Sequence, residues 1–217
     1  MSTVIDFHKV VAVAGDFPVL AGLDIEIAPG EIVHLRGSNG VGKTSFLRAC
    51  AGLIPIRAGE ANVLGFDMRV DRRAPRRYIG LLGHENHLYT DLWVREHLEF
   101  RASVVGASEG DVGAALRRVG LSERLWSVPI ERLSAGQRRR VAIASVLISR
   151  PQLWLLDEPH AALDSEGREV LDEILIDAAS SGATVVFASH ERDVLKSVAS
   201  REVTLRGGRL WEDSGAT

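Results

Sequence analysis

Runs of hydrophobic residues along the chain change between the period of a strand and the period of a helix. Residues 31–36 are rich in strand-forming residues, and residues 153–156 and 184–188 are apolar at nearly every position, as in strands covered on both faces. Between the last two runs, residues 165–179 repeat apolar positions at helical spacing. A strand, a helix and a strand in this order predict parallel pairing and therefore an α/β core.

The middle of the chain has a different pattern, because no strong strand run interrupts residues 90–148. One helical candidate opens with apolar positions from Leu92 onwards. A second candidate follows Ser108, which together with Asp111 fits the pattern of a capping box. A third starts at Ser134 and continues through a mainly apolar stretch. These patterns predict a helical subdomain.

The two ends of the chain favour antiparallel structure. The first thirty residues contain alternating and β-branched runs and a Pro-Gly turn, which predict a small antiparallel sheet. Near the other end, Arg206–Arg209 predicts a hairpin turn. We therefore expect a single domain of residues 1–217, in which a helical subdomain of about residues 84–148 is inserted into a core of residues 1–83 and 149–217.

Composition narrows the class of protein. The chain has 217 residues, of which 46% are apolar and 25% are charged, so it can bury a sizeable core and wholesale disorder is excluded. A net charge of -3 argues against a dedicated nucleic-acid binder. Cys50 is the only cysteine, which excludes an internal disulfide scaffold. Since neither a signal peptide nor an apolar run of about 20 residues is visible, we expect a soluble, cytoplasmic chain.

A glycine-rich segment after the first core strand carries the strongest chemical signal. It fits the P-loop pattern G-x-x-x-x-G-K-S/T and lies between a predicted strand and a predicted helix. Glycines permit the tight turn in which backbone N–H groups point at phosphate oxygens, and the helix N-terminus adds positive charge. We expect Lys43 to reach the β- and γ-phosphates of ATP, and the Thr44 hydroxyl to ligate Mg²⁺. The predicted phosphate-binding residues are Gly37, Ser38, Asn39, Gly40, Val41, Gly42, Lys43, Thr44 and Ser45.

Two adjacent acids follow a second core strand. Asp157 ends the apolar run 153–156, and Glu158 comes directly after it. An aspartate at this position can hold Mg²⁺ through water, while the neighbouring glutamate can polarise an attacking water. We therefore predict Asp157 as a metal ligand, together with Thr44, and Glu158 as a catalytic residue.

The order of these segments resembles that of the ATPase subunits of ABC transporters, from about Val4 to Leu210. Leu133–Gln137 resembles the signature motif of this family, which presents a serine and a helix N-terminus to the γ-phosphate bound by a second subunit. Asp164 resembles the D-loop aspartate that crosses the dimer interface, and His190 resembles the switch histidine that contacts the γ-phosphate. The signature residues implied to bind nucleotide are Ser134, Ala135, Gly136 and Gln137.

This resemblance implies a fold, a cofactor and partners. The fold is a P-loop NTPase core of the ABC ATPase type, with an N-terminal antiparallel β subdomain and an inserted helical subdomain. The activity is hydrolysis of ATP with Mg²⁺. Two copies, or paired ATPase subunits, would enclose ATP between them, and an integral membrane permease would hold the pair at the inner face of the cell membrane. No nucleic-acid partner is implied.

Some positions differ from the usual family pattern. Ala135 replaces a glycine of the signature motif, and Ala161 replaces a serine of the D-loop. Glu85 stands where the Q-loop glutamine is usual, and its carboxylate could still ligate Mg²⁺. The aromatic platform for adenine falls on Ala14, with Phe17 as the nearest aromatic residue. A missing ring would cost about 1–3 kcal/mol of binding energy, by analogy with base stacking elsewhere.

The transported substrate is a finer question. The Gly83-His84 pair is similar to the CcmA-like haem exporter ATPases of bacterial cytochrome c maturation. Short ATPases of drug, lipid or ion exporters share most of the other traits. A non-transport ABC ATPase and a small-molecule P-loop kinase are further alternatives. Tandem ATPase halves, zinc-binding cysteine pairs and long heptad repeats, which would favour the non-transport classes, are not seen in this sequence.

Overall fold

The computed structural model describes residues 3–189 and 198–214, and these residues form two sheets and five helices. The strands are β1 Ile5–Ala14, β2 Phe17–Ile27, β3 Ile32–Arg36, β4 Ile56–Val63, β5 Phe66–Asp67, β6 Ile79–Leu82, β7 Leu153–Asp157, β8 Thr184–Ala188, β9 Arg201–Arg206 and β10 Arg209–Asp213. The helices are α1 Lys43–Cys50, α2 Val94–Val105, α3 Glu109–Arg118, α4 Ala135–Ile148 and α5 Ser165–Ser180. No helix within these described ranges is long and apolar enough to cross a membrane.

The smaller sheet is antiparallel, as predicted for the first thirty residues. Its strand order is β2-β1-β4-β5, and β1 pairs with both β2 and β4. Strands β4 and β5 were not predicted. Residues that β4 leaves exposed, such as Arg57 and Glu60, together with Gly59, interrupt the alternation by which a strand is recognised.

The larger sheet confirms the predicted α/β core. Its order is β10-β9-β3-β8-β7-β6, and the pairs of β3 with β8, β8 with β7, and β7 with β6 are all parallel. The predicted hairpin at Arg206–Arg209 joins β9 to β10, which pair antiparallel. β6 was not predicted, because it has only four residues and one of them is Gly80.

Helices α2, α3 and α4 form the predicted helical region between β6 and β7. Ser108 accepts a hydrogen bond from the backbone of Asp111, whose carboxylate accepts in return from the Ser108 backbone, so the predicted capping box forms. The third helix begins at Ala135 with Ser134 as its N-cap. The limits of 84 and 148 for the helical subdomain stay a prediction.

Strand β7 separates two hydrophobic cores, since its side chains alternate between the faces of the larger sheet. Leu153 and Leu155 join a cluster that packs the antiparallel sheet and α1, including Phe7 and Phe46, against one face. Trp154 and Leu156 join a second cluster with the buried sides of α2 to α5 on the other face. Because β3, β8, β7 and β6 are parallel, their carboxyl ends lie at one shared edge of the larger sheet. That edge is where α/β sheets bind ligands.

Candidate functional site

The P-loop connects the end of β3 to the start of α1 at this edge. Gly42 is the N-cap of α1, with a φ of 112°. A Cβ at Gly42 would lie 2.8 Å from the carbonyl oxygen of Val19 in β2. The close approach of β2 and the positive φ therefore both require glycine at this position.

Lys43 folds back over the loop that precedes it. Its Nζ donates hydrogen bonds to the carbonyl oxygens of Gly37 at 2.7 Å and Ser38 at 3.1 Å. Burial lowers the pKa of Lys43, while the negative charges of Glu158 and Asp157 raise it in part. The ammonium group is thus held among oxygen atoms at the mouth of the loop, where a phosphate can displace the carbonyls as its partner.

Thr44 and Asp157 meet between α1 and β7. The Thr44 hydroxyl donates to Oδ2 of Asp157 at 2.8 Å, and Asp157 is buried. The two residues are 113 positions apart in the sequence, so only the parallel arrangement of β3 and β7 brings them together. A hydroxyl and a carboxylate are hard oxygen donors of the kind that Mg²⁺ prefers.

Glu158 follows β7 in a backbone conformation that is unusual for a residue with a side chain. Its φ is 47°, and its N–H donates to the carbonyl of Ala188 at the end of β8. Oε2 of Glu158 accepts a hydrogen bond from the hydroxyl of Ser189 at 3.2 Å. Such left-handed conformations of non-glycine residues persist only where the surrounding contacts hold them, and they cluster at functional sites.

A cleft of about 350 Å³ joins these groups. It is lined by Asn39, Gly40, Gly42, Lys43, Thr44, Ser45, His84, Asp157 and Glu158. His84 also lines this cleft, although its sequence position had not predicted a role in the site. The signal available in the sequence was its place in the Q-loop, residues 83–86, directly before Glu85. Glu85 is exposed and borders a neighbouring groove of about 510 Å³ that Thr44 and Asp157 also line, so its role as a metal ligand stays a prediction.

The signature residues form the N-terminus of α4, away from the lining of that cleft. The Ser134 hydroxyl accepts from the backbone N–H of Gln137, and Oε1 of Gln137 accepts from the backbone N–H of Ser134. Gly136 lies so close to the D-loop that a Cβ would be 2.8 Å from the carbonyl oxygen of Ala162. Ala135 is exposed beside them.

Asp164 caps α5, since its carboxylate accepts from the backbone N–H of Gly167 at 2.9 Å. The same oxygen accepts from the guanidinium of Arg140 on α4 at 2.8 Å. The hydrogen bond from Gly167, followed by that from Arg140, lowers the pKa of Asp164. Asp164 therefore has a structural role within the subunit, and its nucleotide role stays a prediction. His190 lies outside the described residues.

Arg139 is a second residue whose role was not predicted. It is only 2% exposed and connects α4 to the segments that follow β6 and β7. Helical spacing to the apolar residues that follow gives no signal for it, because Arg138 and Arg140 have apolar residues three and four positions later as well.

Comparison with known proteins gives a consistent result. The family model described as ABC transporter matches residues 20–161. The chain is 42% identical over 191 residues to the cytochrome c biogenesis ATP-binding export protein CcmA of Bordetella bronchiseptica, covering 87% of this chain and 78% of that relative. It is 36% identical over 217 residues to the glutamine transport ATP-binding protein GlnQ of Escherichia coli, covering 96% and 90%.

A solved structure has the same fold. It is a dimeric ATP-binding cassette in a post-hydrolysis state bound to ADP and Pi, and it superimposes with a TM-score of 0.84 at 23% identity. The superposition covers 97% of both chains. The antiparallel sheet, the larger sheet and the helical region are thus arranged as in an ATP-binding cassette.

Proposed function

The chain belongs to the ATP-binding subunits of ABC transporters, and from this membership we propose that it hydrolyses ATP in the cleft beside Lys43, with Glu158 as the base. The observation that carries the proposal is that Glu158 borders the same cleft as the P-loop and the Thr44–Asp157 pair. A base must lie within reach of the water that attacks the γ-phosphate.

The remaining groups of the cleft have separate tasks in this proposal. The N–H groups of residues 37–45 bind the phosphates, and the Lys43 ammonium faces the β- and γ-phosphate oxygens. Thr44 and Asp157 hold Mg²⁺, because a hydroxyl and a carboxylate only 2.8 Å apart suit its oxygen chemistry. When bound, Mg²⁺ neutralises charge on the phosphates. Glu85 is an additional ligand of the metal in this scheme.

A second ATPase subunit completes the site. The signature residues 134–137 do not contribute to the lining of the cleft, although they form an accessible helix N-terminus suited to an anion. Two copies of this chain related by a two-fold axis, or this chain with a paired ATPase subunit, would bring that N-terminus to the γ-phosphate of the partner. The dimeric state of the structural neighbour supports this arrangement. Asp164 and His190 belong to the same interface.

The subunit powers export through a separate membrane permease and works at the cytoplasmic face of the membrane. Haem export for cytochrome c biogenesis is the proposed transport process, supported by the 42% identity to CcmA and by the Gly83-His84 pair. The similarity to GlnQ over 96% of the chain supports a second candidate, the ATPase of another ABC transporter. Co-purification with a cytochrome c maturation permease tests the first candidate, and stable capture of a different permease instead would favour the second.

The catalytic assignment is tested with Glu158→Gln, which keeps the shape of the side chain but removes the base. We expect turnover to fall by about 10²–10⁴-fold while ATP still binds. Glu169→Gln, an exposed acid on α5, is the matched control and should hydrolyse ATP like the wild type. Steady-state phosphate release and binding of a fluorescent ATP analogue measure the two properties. Wild-type turnover by Glu158→Gln would contradict the assignment.

A further inference from the structure

Arg139 extends from the first turns of α4 into the protein interior. Its Nη1 donates to the carbonyl oxygen of Gly83 at 2.8 Å and to Oδ1 of Asn86 at 3.0 Å. Both acceptors belong to the Q-loop, residues 83–86, which leaves the end of β6. One nitrogen of the side chain therefore holds this loop at two points.

The other two nitrogens bind the last residue of β7 and the segment after it. Nη2 donates to the carbonyl oxygens of Asp157 at 3.0 Å and Glu158 at 2.7 Å, and Nε donates to that of Pro159 at 3.2 Å. Three successive peptide groups are thus bound by one planar guanidinium. The five N–H groups of arginine are matched by five acceptors in this environment.

The acceptors of Arg139 are neutral, so the contact differs from an ion pair. Burial lowers the pKa of Arg139 to about 10, and the charges of Asp157 and Glu158 oppose this shift. The side chain remains a cation near neutral pH. Its hydrogen bonds fix peptide groups rather than carboxylates, and they therefore constrain the backbone from which the acids project.

The backbone of Glu158 is where this constraint matters most. Its N–H is bound to Ala188, and its carbonyl oxygen accepts from Arg139 at 2.7 Å and from the backbone N–H of Ala161 at 3.1 Å, so both sides of the residue are held in the conformation with a φ of 47°. Without the shorter hydrogen bond from Arg139, only the bond from Ala161 restrains the carbonyl side, and the residue can relax more easily towards a negative φ. The carboxylate would then leave its position beside Ser189.

We propose that Arg139 is a positioning residue that fixes Glu158 and the Q-loop relative to α4. The N-terminus of α4 also contains Ser134 and Gln137, which face the second subunit in the proposed dimer. A displacement of α4 therefore moves the catalytic base Glu158 of the same subunit. The inference rests on the proposed role of Glu158. Arg139 touches no reacting atom and acts only through the backbone.

The test compares Arg139→Lys with Arg138→Lys in the full chain. Lysine keeps the charge but lacks the planar fork, so it cannot reach both loops. For Arg139→Lys we expect kcat to fall by about 100-fold with little change in the Kd for ATP, as expected for a misplaced catalytic group. Arg138 donates one hydrogen bond of 3.4 Å to Glu131, and its lysine variant should keep the wild-type kcat.

Folding is checked by circular dichroism and thermal unfolding, and Asn86→Ala provides a second variant if Arg139→Lys does not fold. It removes one acceptor from a half-buried position and should lower kcat in the same direction by a smaller factor, with ATP binding intact. An unchanged kcat in a folded Arg139→Lys would overturn the inference, as would an equal loss of ATP binding and turnover. If Arg139→Lys is unfolded, an unchanged kcat in Asn86→Ala would overturn it.

The Glu158→Gln variant separates the two proposals. An inactive Glu158→Gln with an unaffected Arg139→Lys refutes the positioning role alone. An active Glu158→Gln refutes the catalytic assignment on which that role rests.

Discussion

Replacing Gly42 by alanine tests the physical reason for a glycine at the start of α1. Gly42 has a φ of 112°, and an added Cβ would lie 2.8 Å from the carbonyl oxygen of Val19. That oxygen belongs to a paired strand and cannot rotate away as a flexible side chain would. Gly40, in the same loop, also has a positive φ of 78°, but a Cβ there would meet nothing within 4 Å. Gly40→Ala is therefore a matched control for backbone strain without a steric clash.

The expected magnitude follows from separating these two effects. An alanine in a left-handed conformation costs about 1–2 kcal/mol, which applies to Gly40→Ala and is the least that Gly42→Ala would cost, because its φ of 112° lies further from the left-handed region. The clash with Val19 adds about 1–3 kcal/mol to Gly42→Ala alone, the usual cost of overpacking. For a domain of this size, 1 kcal/mol corresponds to about 2–4 °C in Tm. We therefore expect Gly42→Ala to unfold about 2–12 °C below Gly40→Ala.

Thermal unfolding without nucleotide, followed by circular dichroism, measures this difference directly. Binding of a fluorescent ATP analogue then shows whether displacement of the loop also weakens phosphate binding. Equal Tm values for the two alanine variants would refute the reasoning, because they would mean that the contact between Gly42 and β2 imposes no constraint.

Two further predictions concern metal ions and pH. Glu85→Gln should raise the Mg²⁺ concentration needed for half-maximal ATPase activity more than it changes metal-free ATP binding, because a carboxylate binds Mg²⁺ more strongly than an amide; superimposable Mg²⁺ titrations would remove Glu85 from the metal site. Burial lowers the pKa of His34 below its ordinary 6.5. As the pH falls through about 6.5, the unfolded chain therefore takes up a proton before the folded chain does, and the folded state loses stability. His34→Gln should therefore reduce the fall in Tm between about pH 7.5 and pH 5.5, while parallel Tm curves would contradict this sign.

The elements that the sequence predicted best are those whose local pattern agrees with their tertiary environment. Strands β7 and β8 are covered on both faces, so their apolar runs identify them, and the capping box at Ser108 marks the start of α3. Strands β4 and β6 were missed, because pairing with distant strands stabilises them more than their own residues do.

The candidate site divides in the same way. The P-loop has a local pattern, and Asp157 and Glu158 follow a recognisable strand, so all of these residues could be identified in the sequence. Arg139 could not be assigned, because three consecutive arginines after the signature motif give no sign of which one is buried. Its hydrogen-bond acceptors lie 53 to 56 positions before it in the sequence and 18 to 20 positions after it. Only the folded chain defines those contacts.

The capping box at the start of α4 also determines which kind of chemical group can approach it. Ser134 and Gln137 both use a side-chain oxygen to accept a hydrogen bond from the backbone. The hydroxyl hydrogen of Ser134 and the two amide hydrogens of Gln137 are left for the outside, and each oxygen keeps one further lone pair. The tip of the helix is consequently rich in donors, and its dipole has the matching sign. It would favour an anion and disfavour a cation before any second subunit arrives. The hydrogen bonds of the capping box, which start the helix, therefore also determine the sign of the charge that its tip prefers.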